Sequence, residues 1–527
     1  MRNASQFLLA VILCGFSSVE VLAQCPPRPN PDTVVKDTLS LYSQNGVLSA
    51  DLTLGHSVDA NGYTHYCYMY KTPTGQIVEA PTLRLNPGDQ LLLHVKDAIT
   101  SDGAAQSMSG MDMTGMPGVP VCGDTGTATL NSTNVHFHGL NIPPRCHEDD
   151  VLSTLIQPGT PGFQFNTVIP ANEPPGLYWY HPHIHGFTEF QVNGGAAGAI
   201  VVEGMDKVRP EVSGLTERVF TIRQQFLVPW VPGPYQLTVN FETAGVVQGP
   251  TPIIQMKPGT KEFWRILNAS LQNFMPLQVW FNSVPQPLQL IALDGYPLAQ
   301  PRSETTILIP PASRAEFIVQ APPAGASALF MTLNYSTGPT GNADVEDPLA
   351  KIQLSADAAN PLTKPVPTIP QVPLNHLKFA GLKDLVPTTT RKLYFSEEFG
   401  GTNGPIQFYI TVDGQKQKVF EANEKPAITT KVGAVEDWTI ENHALETHAF
   451  HIHQIHFMVL EVDGKPVPNQ DLRDTIEIPF WDGVSAYHSV KVRMDFRDPT
   501  TAGLFVFHCH ILLHEDLGMM HKILVEP

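Results

Sequence analysis

Residues Leu85–Asp97 read LNPGDQLLLHVKD, a Pro-Gly turn opening into a run of apolar residues that ends in charge, which is how a β-strand is entered from a turn. Two later stretches repeat it: Met256–Asn268 (MKPGTKEFWRILN) and Thr430–Asn442 (TKVGAVEDWTIEN). The turn glycines, Gly88, Gly259 and Gly433, are 171 and 174 residues apart, close to a third of a chain of 527 residues. That spacing is the signature of three tandem β-domains of one kind. Boundaries near 205 and 370 divide the chain into 24–205, 206–370 and 371–527. The second boundary falls in the proline-rich stretch Pro361–Pro373, which should run as an extended linker because each proline fixes its own φ and restricts the residue before it.

Composition agrees with an all-β fold. Hydrophobic residues make up 42% and charged residues 16%, enough to bury several cores, and 48 prolines and 40 glycines punctuate short runs of Val, Ile, Thr, Phe and Leu. Residues 1–23, with Arg2, the apolar run Phe7–Phe16 and a small-residue site ending at Ala23, have the form of a secretory signal peptide. Gln24, rather than a small residue, precedes Cys25, so no lipid anchor is expected. No later apolar run is long enough to cross a bilayer. A secreted or periplasmic protein is expected, in which pairs among Cys25, Cys67, Cys122 and Cys146 form disulfides of open connectivity. The net charge of −18 argues against nucleic acid or an anionic membrane as partner, and the chain is expected to act as a monomer.

A second self-similarity carries the chemistry. GLYWYHPHIH (Gly176–His185) aligns with GLFVFHCHIL (Gly503–Leu512), and HFHG (His136–Gly139) with HIHQ (His451–Gln454). The first and third domains are therefore copies of one histidine-bearing unit. All 20 histidines and all 6 cysteines lie outside 206–370, so the middle domain is expected to be a spacer. Four His-X-His pairs occur: His136/His138, His181/His183, His451/His453 and His508/His510. On a strand, residues i and i+2 share a face, so each pair presents two imidazoles to one place. Eight such nitrogens suit two copper ions with three histidines each and a third with two. Cys509, between His508 and His510, must point to the opposite face, as must His448, an odd three residues before His451. With His514 and Met519 they supply two imidazoles, a thiolate and a thioether, the ligand set of a blue-copper electron-transfer site.

HFHG, WYHPHIHG, HAFHIH and HCHILLHEDLGMM resemble the four copper-binding motifs of the multicopper oxidases, the family of laccases, bilirubin oxidase and ascorbate oxidase. The resemblance implies three cupredoxin-like Greek-key β-sandwich domains, with a trinuclear cluster between the first and third. It implies four coppers per chain: type 1 held by His448, Cys509, His514 and Met519, type 2 by His136 and His451, and a type 3 pair by His138, His181, His183, His453, His508 and His510. Phe137 stands where the family often has Trp, and Met519 where many fungal laccases have Leu or Phe; a coordinating thioether favours a modest potential. Electrons would enter at type 1 copper and pass along the bonded path from Cys509 to His508 and His510, four of them reducing dioxygen to two waters. Glu515 resembles a glutamate that passes protons to the cluster, and Asp149 or Asp150 an acidic residue that follows the first motif; against this stands their reading as solvated loop acids. His185 and His456 are expected to pack beside ligands rather than to ligate. The segment 108–116, MSGMDMTGM, sets four thioethers in a polar loop and could bind Cu(I). The leading expectation is a laccase-like oxidase of phenols and aromatic amines, with a cuprous oxidase for copper tolerance as the alternative. A non-catalytic copper-binding protein fits poorly, since storage has no use for a cysteine wired to two cluster histidines.

Overall fold

The computed structural model describes residues 24–29, 32–99, 122–227, 235–244, 251–358, 373–399 and 406–527. Residues 1–23, expected to form a signal peptide, the methionine-rich segment 108–116 and most of the proline-rich stretch lie outside the described residues. What is described is almost wholly strand and turn, and the sheets follow one another along the chain in three facing pairs, as cupredoxin-like sandwiches do.

The thrice-repeated stretch is the same strand in each pair. Gln90–Asp97 runs parallel to Val47–Val58 and antiparallel to Phe163–Val168. Lys261–Ala269 lies likewise between Thr216–Phe226 and Arg314–Gln320, and Val435–Asn442 between Thr389–Phe399 and His488–Asp495. In the first copy the period of two is clean: Leu91, Leu93 and Val95 are buried, while Gln90, Leu92, His94 and Lys96 are not. The middle copy is buried on both faces after Lys261, because its outer face carries Leu267 and Ala269 against Leu177, Trp179 and Val201 of the first domain.

The histidine strands occupy equivalent places in the first and third domains. One sheet runs Ser40–Tyr42, Thr82–Leu85, Gly198–Val202, Gly176–His181, His136–His138; its counterpart runs Ile428–Lys431, Met520–Glu526, Gly503–Cys509, His448–Ile452, Thr475–Ile478. Disulfides join Cys25 to Cys67 and Cys122 to Cys146, which settles the connectivity and leaves Cys509 as the free, buried thiol among the described cysteines. The two histidine-bearing domains are locked by Val151 and Leu152 against Phe420, Val506 and Met520. A polar clamp adds to this: Asp516 accepts from the backbone N–H groups of Gly186 (2.9 Å), Thr188 (3.1 Å) and Glu189 (2.8 Å), satisfying the start of the short helix Thr188–Asn193 from across the interface.

Candidate metal centres

Register places the first cluster. His136 lies directly opposite His181 on neighbouring strands, and His451 directly opposite His508. The two sheets face each other, so His136 stacks on His453 at 3.8 Å between ring centroids and His138 on His451 at 3.9 Å. The Nε2 atoms of His183 and His508 are 3.4 Å apart, and those of His453 and His508 3.2 Å. Nitrogens of three triplets fall within 4.8 Å of one another: His136/His451/His453, His136/His138/His181 and His183/His453/His508. His510 joins with its ring 5.1 Å from His138 and 5.6 Å from His181. All eight rings are at most 2% exposed.

Such burial is unfavourable for polar atoms unless something pairs with them. Five outer nitrogens have protein partners: His136 Nδ1 at Asp149 (3.0 Å), His138 Nε2 at Asp474 (3.3 Å), and Nδ1 of His181, His451 and His508, each 2.8 Å from the carbonyls of Pro182, Asp474 and Cys509. Donating there fixes the tautomer and leaves a lone pair on the other nitrogen. Nε2 of His136, His181 and His451, Nδ1 of His138 and His453, and both nitrogens of His510 have no hydrogen-bond partner among the described residues. Burial above all, with neighbouring rings adding to it, holds these histidines below their usual range, His181 at about 3, so they stay neutral. Converging neutral imidazole lone pairs in a closed space are what a cluster of transition-metal ions requires, and the donor set fits copper.

On the reverse of the same strand lies the second centre. The strand His448–Ile452 is regular, so His448 emerges on the face opposite His451, and Cys509 opposite His508 and His510. Cys509 Sγ is 3.6 Å from His448 Nδ1 and 3.8 Å from His514 Nδ1, and the two Nδ1 atoms are 3.3 Å apart. Met519 is fully buried, and its carbonyl accepts from the Cys509 N–H at 3.0 Å, so its backbone lies alongside the cysteine. Burial pushes the Cys509 thiol up, so its thiolate form calls for a compensating cation of the kind a bound metal supplies. Phe395 and Phe408 stack on His448 and His514, at 4.9 and 4.1 Å.

Two carboxylates that the sequence reading did not single out face this centre from outside. Glu397 Oε1 is 3.4 Å from His448 Nε2, and Glu446 Oε2 is 3.7 Å from His514 Nε2. Burial, and then Glu397, push Glu446 up to about 9. The proximity of Glu446 to His448 in the chain was the available signal.

The carboxylates expected to serve the cluster separate cleanly. Glu515 is enclosed, with Oε1 3.4 Å from His183 Nε2 and Oε2 3.3 Å from His508 Nδ1; burial and then Asp516 raise it well above the usual carboxylate range. Asp149 is enclosed too, accepting from the Phe137 N–H at 2.9 Å as well as from His136, and burial pushes it up to about 7. Neither is a solvated loop acid. Asp150, one residue on, turns away and accepts from the N–H and hydroxyl of Ser153, closing its own turn.

The middle domain is not a spacer. Its Arg314, fully buried, sends Nη1 and Nη2 to Asp474 at 2.8 and 2.6 Å, and Nε to the Leu177 carbonyl at 3.1 Å. Asp474 in turn lies 3.3 Å from His138 Nε2 and 3.8 Å from His451 Nδ1. Asp294, also of the middle domain, accepts from the Arg314 backbone N–H at 2.8 Å and from Arg473 Nε at 2.6 Å. His456 does pack beside the ligands, with Nε2 2.7 Å from the Asp294 carbonyl and 3.7 Å from Asp474. The histidine census missed this network because its members are neither histidine nor cysteine. It also explains the glycine of HFHG: Gly139 sits at φ +86°, and a Cβ there would meet Arg314 Nη2 and stand 2.7 Å from Asp474 Oδ2.

Comparison with known proteins agrees with this geometry. Three family models, each described as multicopper oxidase, match residues 127–207, 216–351 and 400–527. A multicopper oxidase of Staphylococcus aureus is 26% identical over 406 residues, spanning 75% of this chain and 77% of that protein. A laccase of Bacillus stratosphericus is 24% identical over 434 residues, spanning 74% and 80%. Among solved structures, a multicopper oxidase from Campylobacter jejuni described as a metallo-oxidase superimposes with a TM-score of 0.67 at 21% identity, covering 95% of this chain and 96% of its own. A laccase-like multicopper oxidase from Ochrobactrum gives 0.61 at 21% identity, covering 95% and 100%. With a family model matching within each of the three sandwiches and the motif histidines gathered into one buried cluster, the chain belongs to the multicopper oxidases, oxidoreductases that work with copper.

Proposed function

We propose that this protein is a laccase-like oxidase that takes single electrons from phenols and aromatic amines and delivers them to dioxygen. One observation carries the reading: Cys509 belongs to one donor set while its covalent neighbours His508 and His510 belong to the other, on the opposite face of one strand. His448, Cys509, His514 and Met519 would hold type 1 copper, His136 and His451 type 2, and His138, His181, His183, His453, His508 and His510 the type 3 pair. Bound there, four coppers supply one-electron uptake and the four-electron reduction of dioxygen to water. The chain supplies the rest. The backbone of Cys509 and its carbonyl contact to His508 Nδ1, at 2.8 Å, give a short bonded route between the two sets. Apolar contact of Val151 and Leu152 with Phe420, Val506 and Met520 holds the two histidine-bearing domains against each other. Two disulfides suit an exported protein, secreted or periplasmic.

Glu515 is placed to hold a proton between His183 and His508. Glu515→Gln should lower kcat by about 10²–10⁴-fold, the usual worth of a positioned proton carrier. Reduction of the blue centre by a phenol under anaerobic stopped flow should stay at the wild-type rate. Slowed anaerobic reduction would move Glu515 out of that role.

A second reading, a metallo-oxidase acting on a cation such as Cu(I), is favoured by Glu397 and Glu446 at the outward nitrogens of His448 and His514, since an arriving cation can displace the proton that burial holds on Glu446 and take the carboxyl oxygens as donors. Oxygen uptake with a phenol and with Cu(I), measured side by side, separates the two. If the donor is Cu(I), Glu446→Gln should raise KM for Cu(I) and deletion of 108–116 should impair Cu(I) oxidation while sparing the phenol. Equal losses on both donors would count against a dedicated cation route.

A further inference from the structure

We propose that Gln454 is a positioning residue for His136: its amide pins the Asp149 carboxylate, and a strained backbone is retained for that contact. The inference rests on the copper reading of the histidine cluster and adds to it a residue that is not a ligand.

The internal repeat exposes the anomaly. HFHG and HIHQ occupy equivalent places, and in both the residue after the second histidine has a positive φ, +86° at Gly139 and +58° at Gln454. At Gln454 the Ile455 N–H donates to the His453 carbonyl at 2.8 Å, closing a three-residue turn centred on that positive φ, the rare and strained form of such turns. Glycine adopts this conformation freely, whereas a long side chain resists it. Residues held there against their preference cluster where a side chain has work to do.

The side chain of Gln454 has one evident task. It is 3% exposed and comes from the third domain, yet its Nε2 donates to Asp149 Oδ2 of the first. The other oxygen of Asp149 accepts from the Phe137 N–H at 2.9 Å, and the two oxygens stand 3.1 and 3.0 Å from His136 Nδ1. Two N–H donors from two domains thus hold the carboxylate so that it receives the Nδ1 proton of His136. That fixes the tautomer in which His136 Nε2 carries a lone pair toward His451 and His453. Without the amide, Asp149 keeps a single backbone donor and is free to turn, and the orientation of His136 is no longer determined.

The test uses the full-length, copper-loaded protein with Gln454→Gly and Gln454→Asn. Both residues accept the left-handed conformation, and neither reaches Asp149, Asn being one methylene short. Loss of type 2 copper to a chelator should accelerate by about 10–100-fold, the usual consequence of removing a partner that orients a ligand. The electron paramagnetic resonance spectrum of that ion should change, the blue absorption of the Cys509 centre should not, and the thermal midpoint of the apo-protein should stay level or rise. A wild-type spectrum and chelator rate in both variants would overturn the proposal, as would a fall in the apo midpoint accompanied by a disturbed blue band, which marks a packing residue. A wild type without any type 2 signal would instead sink the copper reading. An apo crystal structure of Gln454→Gly then decides this inference: Asp149 turned off His136 Nδ1 supports it, and Asp149 unmoved overturns it.

Discussion

Replacement of Cys509 by serine is expected to bleach the protein and to reduce turnover with every organic donor to background. Serine matches cysteine in shape, and the strand Gly503–Cys509 is held by its pairing with Met520–Glu526 and His448–Ile452, so the fold and the positions of His508 and His510 should survive. What goes is the soft sulfur that faces His448 Nδ1 and His514 Nδ1 at 3.6 and 3.8 Å. A hydroxyl is a poor ligand for copper in either oxidation state, because it neither deprotonates readily nor offers a polarisable donor. The visible spectrum and oxygen uptake check the outcome, with the type 2 resonance as an internal control that the histidine cluster is still loaded. Retained activity toward phenols would mean that electrons reach the cluster by some route other than this cysteine.

The part of the site that was legible in the sequence is the part governed by strand parity. A period of two dictates that Cys509 and its flanking histidines diverge, and the regular strand His448–Ile452 keeps His448 on the side of Cys509. Repeats made the domain count legible, because the same glycine turn opens the same strand in each sandwich. Asp149 and Asp150 could not be told apart, since a turn rather than a strand decides which of two adjacent acids faces His136 and which caps Ser153. Glu397 was hidden for another reason, since it meets the outward edge of His448 from a separate segment that only tertiary packing brings near; Glu446, two residues before His448, could be suspected from the chain, but its pairing with His514 could not. The reading of the middle domain as a spacer failed on the same ground. Absence of histidine and cysteine excludes the common copper ligands, but it is silent on who orients them.

Asp474→Ala should be the most destabilising single change at the cluster, by about 3–5 kcal/mol, the cost of stripping the partner from a buried ion pair. Arg314 would keep its charge in a fully buried position, with only the carbonyls of Leu177 and Ala312 and the more distant Asp294 to answer it. Burial alone would raise Asp474, but the charge and hydrogen bonds of Arg314 outweigh it and hold the carboxylate below its usual value. The sign follows: its stabilising contribution is complete above the unfolded-state value of about 3.9 and is lost as pH falls through the lower folded value. The gap between Asp474→Asn and the wild type should therefore be flat from neutral pH down to mildly acid and narrow only in strong acid. Two effects should travel together in the alanine variant, a lowered thermal midpoint of the apo-protein and poorer copper retention, because His138 and His451 lose the carboxylate beside them. Replacing Arg314 and Asp474 together by Met and Leu should recover much of the apo stability, since no unpaired charge remains, while copper retention stays impaired. Recovery of both would reduce the middle domain's contribution to packing alone, and recovery of neither would mean that the pair matters for its shape and not its charge.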